Sequence, residues 1–220
     1  MVCVAAIYTG QGLMEIMRKI FAEEFPDCQL INILDDSIIR EVMLHGGVTP
    51  FIARRLISYF FLAVDAGADI ILNTCSSVGE VVDIARPIIE KPIVRIDEPM
   101  AEEAVKNFSV IGVLATVRST LTPTINLLKK KALEENKDIS IIQGLAEGAY
   151  QALMNGLPEM HDKLIMETAS RISEKAEVIV LAQGSMTRIE RVLAENTGKP
   201  VLSSPRLAVR TIKNMVNCSK

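Results

Sequence analysis

Short, almost wholly apolar runs alternate with longer amphipathic stretches along the whole chain. The runs at 2–8, 30–34, 70–72, 93–96, 109–114, 139–143, 178–181 and 201–202 are too short for helices and are bounded by turn residues, so they read as buried strands. Between them, apolar residues recur at helical spacing over 13–25, 51–66, 78–90 and 99–107, then up to 136, up to 154, over 159–175, up to 196 and over 205–217. Thr49-Pro50 gives a capping hydroxyl and a proline at the first helical position, and Gly67 closes that helix. Pro87 ends or kinks the helix that starts at Val78. Strand and helix in regular alternation predict an α/β protein with mainly parallel sheets.

The pattern runs through twice. Ala68-Asp69-Ile70-Ile71-Leu72-Asn73-Thr74-Cys75 aligns with Ala176-Glu177-Val178-Ile179-Val180-Leu181-Ala182-Gln183, an offset of 108 residues (183 − 75). Lys91-Pro92-Ile93-Val94 recurs as Lys199-Pro200-Val201-Leu202 at the same offset (200 − 92 = 108). A spacing shared by two separate elements predicts two similar α/β halves with Cys75 and Gln183 at equivalent points. Asp97-Glu98-Pro99 marks the crossing, and the last helix is expected to return to the first half. The expected division is 1–97 with 205–220, and 98–204.

Composition narrows the class. With 49% hydrophobic and 4% aromatic residues over 220 positions, the core is aliphatic and large enough for two halves. No apolar run approaches the roughly 18 residues that span a bilayer. The amino terminus enters a strand with no basic segment before it, so a cytoplasmic protein is expected. A net charge of −3 with mixed signs does not supply the basic patch of a nucleic-acid surface. The helix over 51–66 is hydrophobic nearly all round, which predicts burial on two sides, against a sheet or at a subunit interface, and hence a homo-oligomer.

The chemistry lies in the loops after the strands, because ligands of open α/β sheets collect at the carboxyl ends of their strands. Four cysteines, at 3, 28, 75 and 218, show no metal spacing, and only Cys75 ends a strand. Its place ahead of a helix predicts a thiol pKa below the ordinary value. Neither histidine sits at ligand spacing from another; His45 reads as a loop residue and His161 as exposed on the first turn of its helix. Thr9 and Gly10, then Asn73, Thr74 and Ser76, then Thr116 and Ser119, then Gly184 and Ser185 surround the four main loops with hydroxyls and N–H groups suited to a carboxylate. Gly10 and Gly12, with Asp35 and Asp36 after the next strand, approach a dinucleotide-binding pattern, but Glu15 stands where the third glycine belongs. A nucleotide-binding module is therefore an outside alternative.

Asn73-Thr74-Cys75-Ser76-Ser77, the Ile111-Gly112-Val113-Leu114-Ala115-Thr116 strand and loop, the strand ending at Leu181 and the crossover Pro92 to Met100 resemble the aspartate/glutamate/hydantoin racemase superfamily over essentially the whole chain. The resemblance implies two pseudosymmetric flavodoxin-like three-layer halves, with a small carboxylate bound in a cleft between them and no cofactor. It also implies one catalytic cysteine from each half, placed on opposite sides of the substrate's α-carbon. Cys75 holds the first position. Gln183 holds the second, and a carboxamide does not exchange protons at useful pH. A register shifted by two would put Ser185 there instead. With glutamine in the second place, the resemblance implies an isomerase or racemase-like enzyme working through Cys75. The alternatives are a one-thiol decarboxylase or lyase, and a non-catalytic small-ligand binding protein.

Overall fold

The computed structural model describes residues 1–218 and separates into two compact units, Met1–Pro99 with the segment from Pro205 onward, and Met100–Ser204. Positions 219 and 220 of the expected division lie outside the described residues. The first unit contains β1 (Val2–Tyr8), α1 (Met14–Glu24), β2 (Cys28–Leu34), α2 (Ser37–His45), α3 (Pro50–Asp65), β3 (Ile70–Asn73), α4 (Glu80–Ala85) and β4 (Ile93–Arg95). Then come α5 (Glu98–Asn107), β5 (Val110–Ala115), α6 (Arg118–Glu134), β6 (Ser140–Leu145), α7 (Ala149–Met154), α8 (Pro158–Ser173), β7 (Val178–Leu181), α9 (Glu190–Thr197) and β8 (Val201–Leu202). The last element is α10 (Ser204–Cys218).

Each unit has a four-stranded, all-parallel sheet, ordered β2-β1-β3-β4 in the first and β6-β5-β7-β8 in the second. This is the doubly wound, flavodoxin-like order, repeated strand for strand. The central strands explain the continuous apolar runs. Both faces of β1, β3, β5 and β7 are covered by helices, so nearly every side chain on them is buried. The outer strands β2 and β6 are more open: no residue of β2 and only Gly144 of β6 is fully buried.

In the first unit, one face of the sheet packs Ala5, Ile7 and Ile71 against Ile52, Leu56 and Phe60 of α3 and against α2 and α4. The other face packs Val4, Ala6, Tyr8 and Leu72 against Met17, Ile20 and Phe21 of α1 and Ala208, Val209 and Ile212 of α10. In the second unit, Gly112 on β5 lets α8 approach closely, since a Cβ there would lie 3.0 Å from that of Ala176 and 3.3 Å from Cδ1 of Ile172.

Two histidine expectations differ from the structure: His45, expected in a loop, is the last residue of α2, a helix the apolar pattern did not mark, and His161, expected exposed, is buried. α3 starts as its cap predicts, with the Thr49 hydroxyl accepting from the Ile52 N–H at 3.3 Å. But its buried stripe runs along one side alone, and Phe51, Phe61 and Leu62 remain about half exposed within the chain. His161 is buried at 3% exposure, because the fourth residue of α8 faces inward, under the turn that follows β7. Among the described residues no helix is long and apolar enough to cross a membrane.

The return of α10 is held by charge as well as burial. Arg206 donates to Glu23 at 2.6 Å, and Arg206 and Arg210 both donate to Glu24, the latter at 3.0 Å. The bonds from Arg210 and Arg206 hold the Glu24 carboxyl down at about 2. A depressed carboxyl stabilises the fold above its unfolded value near 4.5, and that contribution is lost as pH falls towards about 2. Glu24→Gln should therefore lower the thermal midpoint at pH 7 and leave it closer to the parent's at pH 2.5. Thermal denaturation at the two pH values checks this; an equal loss at both would assign Glu24 no linked role.

Candidate functional site

The pairing of the central strands decides which loop residues meet. Ile7 on β1 stands opposite Asn73 on β3, so two residues further on Thr9 comes level with Cys75. In the second unit Leu114 on β5 is level with Leu181 on β7, which brings Thr116 level with Gln183. Cys75 and Gln183 also have nearly the same backbone, φ −121°, ψ 114° against φ −131°, ψ 128°, and each precedes a 3-10 turn, Ser76–Val78 and Gly184–Ile189. Register and conformation thus make Gln183 the counterpart of Cys75. Ser185, at the 108-residue offset from Ser77, is the counterpart of that serine.

Several polar groups of the Cys75 loop are committed to holding its shape. The Thr74 N–H and hydroxyl both donate to the Ile7 carbonyl, at 3.1 and 2.8 Å. Asn73 is fully buried and donates from Nδ2 to the Cys75 carbonyl at 3.1 Å, while its Oδ1 has no partner. Ser76 and Thr9 are buried, and Gly10 is partly exposed in extended backbone. Cys75 itself is partly exposed and leans on the apolar cluster of α3 and α4. Burial in that setting pushes its thiol above the ordinary value, which corrects the lowering expected from a helix start alone. The hydroxyls of Thr9 and Ser77 and the N–H groups of Ser77 and Val78 pull it down, but by less.

The matching turn in the second unit is closed on itself. The Gln183 Oε1 accepts from the Thr116 N–H at 2.8 Å, and its Nε2 donates to the Thr116 hydroxyl at 2.6 Å. Ser119 Oγ is buried without a partner, and Gly184 and Ser185 are partly exposed. Arg188, at the end of this turn, donates to both oxygens of Asp162, and the buried His161 ring nitrogen Nδ1 lies 2.7 Å from Asp162 Oδ1. No sequence signal points to this cluster, because Asp162 and Arg188 are distant in the chain and belong to no motif.

A second feature hidden from the sequence lies beneath the Cys75 turn. Arg95, at 4% exposure, donates through Nε and NH2 to the two oxygens of Asp97, at 0%, both at 3.1 Å. Its guanidinium rests against Gly79, where a Cβ would fall 2.4 Å from one nitrogen and 2.6 Å from the central carbon. The second unit has neither partner: at the same offset Thr187 replaces Gly79 and Ser203 replaces Arg95. There Ser203 donates to Glu190 at 2.5 Å, and the Thr187 hydroxyl donates to the Gly184 carbonyl at 2.8 Å.

The acidic pair after β2 is engaged as well. Asp35 accepts from the Ser37 N–H at 3.1 Å, the Ser37 hydroxyl at 2.6 Å, the Tyr59 hydroxyl at 2.7 Å and Arg55. Burial raises its pKa, but these bonds and the Arg55 charge outweigh that and hold it below the usual carboxylate range. Asp36 accepts from the Gln11 side chain at 3.3 Å. Asp35 is thus occupied where a dinucleotide's ribose would need it. Among the described residues no cluster of three or more His, Cys, Asp or Glu side chains could hold a metal.

A family model described as Asp/Glu/Hydantoin racemase matches residues 48–212. No curated protein matches the chain in sequence. Similar solved structures include an allantoin racemase from Klebsiella pneumoniae, with a TM-score of 0.76 at 16% identity over 100% of this chain and 89% of that one. A glutamate racemase from Francisella tularensis subsp. tularensis SCHU S4 has a TM-score of 0.75 at 14% identity, over 99% and 81% of the two chains. The aspartate racemase of Picrophilus torridus gives 0.75 at 12% identity, over 99% and 95%. At these identities the structural likeness establishes the fold.

The Arg95–Gly79 contact is open to a direct check. Gly79→Ala should displace the guanidinium from Asp97 and cost about 3 kcal/mol, in the range for breaking a buried pair. Gly10→Ala, which meets nothing within 4 Å, should stay within about 0.5 kcal/mol of the parent. Urea unfolding measures both; equal effects would mean that Arg95 does not depend on the bare backbone at Gly79.

Proposed function

Because the chain belongs to the Asp/Glu/hydantoin racemase family, we propose that it moves the α-proton of a small carboxylate, an amino acid or a related acid, without a cofactor and with the Cys75 thiol as the acid/base group. The observation that carries this reading is the placement of Cys75 at the carboxyl end of β3, partly exposed, level with Thr9 and ahead of the Ser76–Val78 turn. The activities of the similar structures, racemisation of allantoin, glutamate and aspartate, support chemistry at an acidic carbon.

In this reading the thiolate takes the α-hydrogen and becomes the thiol, while the C–H bonding pair passes into an enediolate. The thiol then returns the proton. Thr9, Gly10, Asn73, Thr74 and Ser76 shape and line the Cys75 loop, and free N–H and O–H groups there would stabilise the negative charge that develops on the carboxylate. In the second unit Ser119, Gly184 and Ser185 are proposed as donors of its own loop; Thr116 joins them only if it leaves Gln183. The two hydrogen bonds to Thr116 support a structural part for Gln183, and its carboxamide carries no transferable proton at neutral pH. Two-thiol racemisation is therefore not the proposed route.

A second reading draws on the raised pKa of Cys75, which keeps the thiol protonated at neutral pH. That form suits a proton donor. In a decarboxylation the C–CO₂ bond breaks, its electron pair stays on the α-carbon as an enediolate, CO₂ leaves, and Cys75 supplies the proton. Both readings rest on the same sulfur. Cys75→Ser should lower turnover of a true substrate by about 10²–10⁴-fold, the usual contribution of a positioned acid/base group. Gln183→Cys should add racemisation that the parent lacks. Steady-state assays on a panel of enantiopure amino acids and substituted malonates test both outcomes; full activity in Cys75→Ser would overturn the assignment.

A further inference from the structure

The buried hydroxyl of Ser77 has no hydrogen-bond partner, an uncommon state for a side chain at 3% exposure. Ser77 lies two residues after Cys75 in the 3-10 turn for which Cys75 is the capping residue, with the extended backbone typical of that position. A capping side chain points at the second and third residues of its turn, here Ser77 and Val78. The Cys75 sulfur makes no capping hydrogen bond in the resting structure. So the turn carries, two residues apart, a thiol without a capping bond and a buried hydroxyl without a partner.

The turn is also held from below. The Gly79 N–H donates to the Ser76 carbonyl at 3.1 Å, closing it, and the guanidinium of Arg95 lies against Gly79 while both ends of its fork are fixed on Asp97. Asn73 holds the Cys75 carbonyl. The backbone that carries the Ser77 hydroxyl is thus held in one conformation.

We propose that Ser77 is a positioning residue for Cys75, whose hydroxyl donates to the sulfur once the thiol has lost its proton. This rests on the reading of Cys75 as the acid/base group. Ser77 keeps its own proton throughout; it turns its O–H onto the thiolate as the Cys75 proton leaves for substrate or solvent. The unpartnered hydroxyl is a cost borne in the thiol state and relieved in the thiolate state, so it favours ionisation against the burial that opposes it.

That asymmetry separates the proposal from a packing role. Removing a hydroxyl that bonds nothing in the resting state should leave resting stability intact, yet make the thiolate harder to form. The test is iodoacetamide alkylation of the full-length protein across pH, followed at Cys75 by peptide mass spectrometry, together with urea unfolding. In the parent, alkylation of Cys75 should still be rising above the pH at which an ordinary thiol levels off. Ser77→Ala should move the profile up by about one pH unit, some tenfold slower at any pH below the midpoint, with the urea midpoint unchanged or higher. An unmoved profile would overturn the role, whether or not stability changed. Alkylation needs no substrate, so this result is separate from the turnover of Cys75→Ser: an inactive Cys75→Ser with an unmoved Ser77→Ala profile would sink the role of Ser77 alone.

Discussion

Everything at the two candidate loops depends on the parallel pairing of each unit's two central strands. A parallel ladder fixes which residues leave the sheet side by side, and a slip of one residue would send them to opposite faces. With Ile7 level with Asn73 and Leu114 level with Leu181, the sheet presents Thr9 beside Cys75 and Thr116 beside Gln183. The strands can be held in that register because they are buried on both faces and apolar throughout. The first unit uses the arrangement to set a thiol beside a threonine hydroxyl. The second uses it to tie a carboxamide to its neighbour by two hydrogen bonds.

The asymmetry between the halves extends below the loops. In the first unit a buried arginine and aspartate take up a bare stretch of backbone at Gly79; in the second, Thr187 and Ser203 occupy the same positions and bond locally. A buried ion pair is seldom a net gain in stability over apolar packing, since desolvation consumes most of the attraction. Its effect here is to hold one turn in one conformation, and that turn carries Cys75 and Ser77. Position by position, the half with the thiol has the rigid support and the half with glutamine lacks it.

Much of this is legible in the sequence. The apolar runs mark most of the strands to within a residue or two, and the shared offset of 108 residues identifies Gln183 as the partner of Cys75 without help from the register. Contacts between residues far apart in the chain are not legible. Nothing in Ile93-Val94-Arg95-Ile96-Asp97 distinguishes a buried fork from an exposed charged strand end. β2 starts two residues ahead of its apolar run, because pairing to Val2 and Cys3 makes strand of Cys28 and Gln29, which look like loop. The first turn of a helix is usually exposed, and nothing near His161 in the chain signals that its turn is covered. A place between strand and helix points to a lowered pKa for Cys75; the apolar cluster beside it, which no local pattern reveals, reverses the sign.

The central claim is that a single thiol serves the reaction, and the stereochemistry of hydrogen exchange bears on it most directly. A true substrate incubated with the protein in deuterated water should exchange its α-hydrogen, or gain deuterium on decarboxylation, with one stereochemical sense, as read by NMR on a chiral derivative. Rapid interconversion of both enantiomers by the unmodified protein, with deuterium entering each, would contradict the claim and require a second proton carrier besides Cys75.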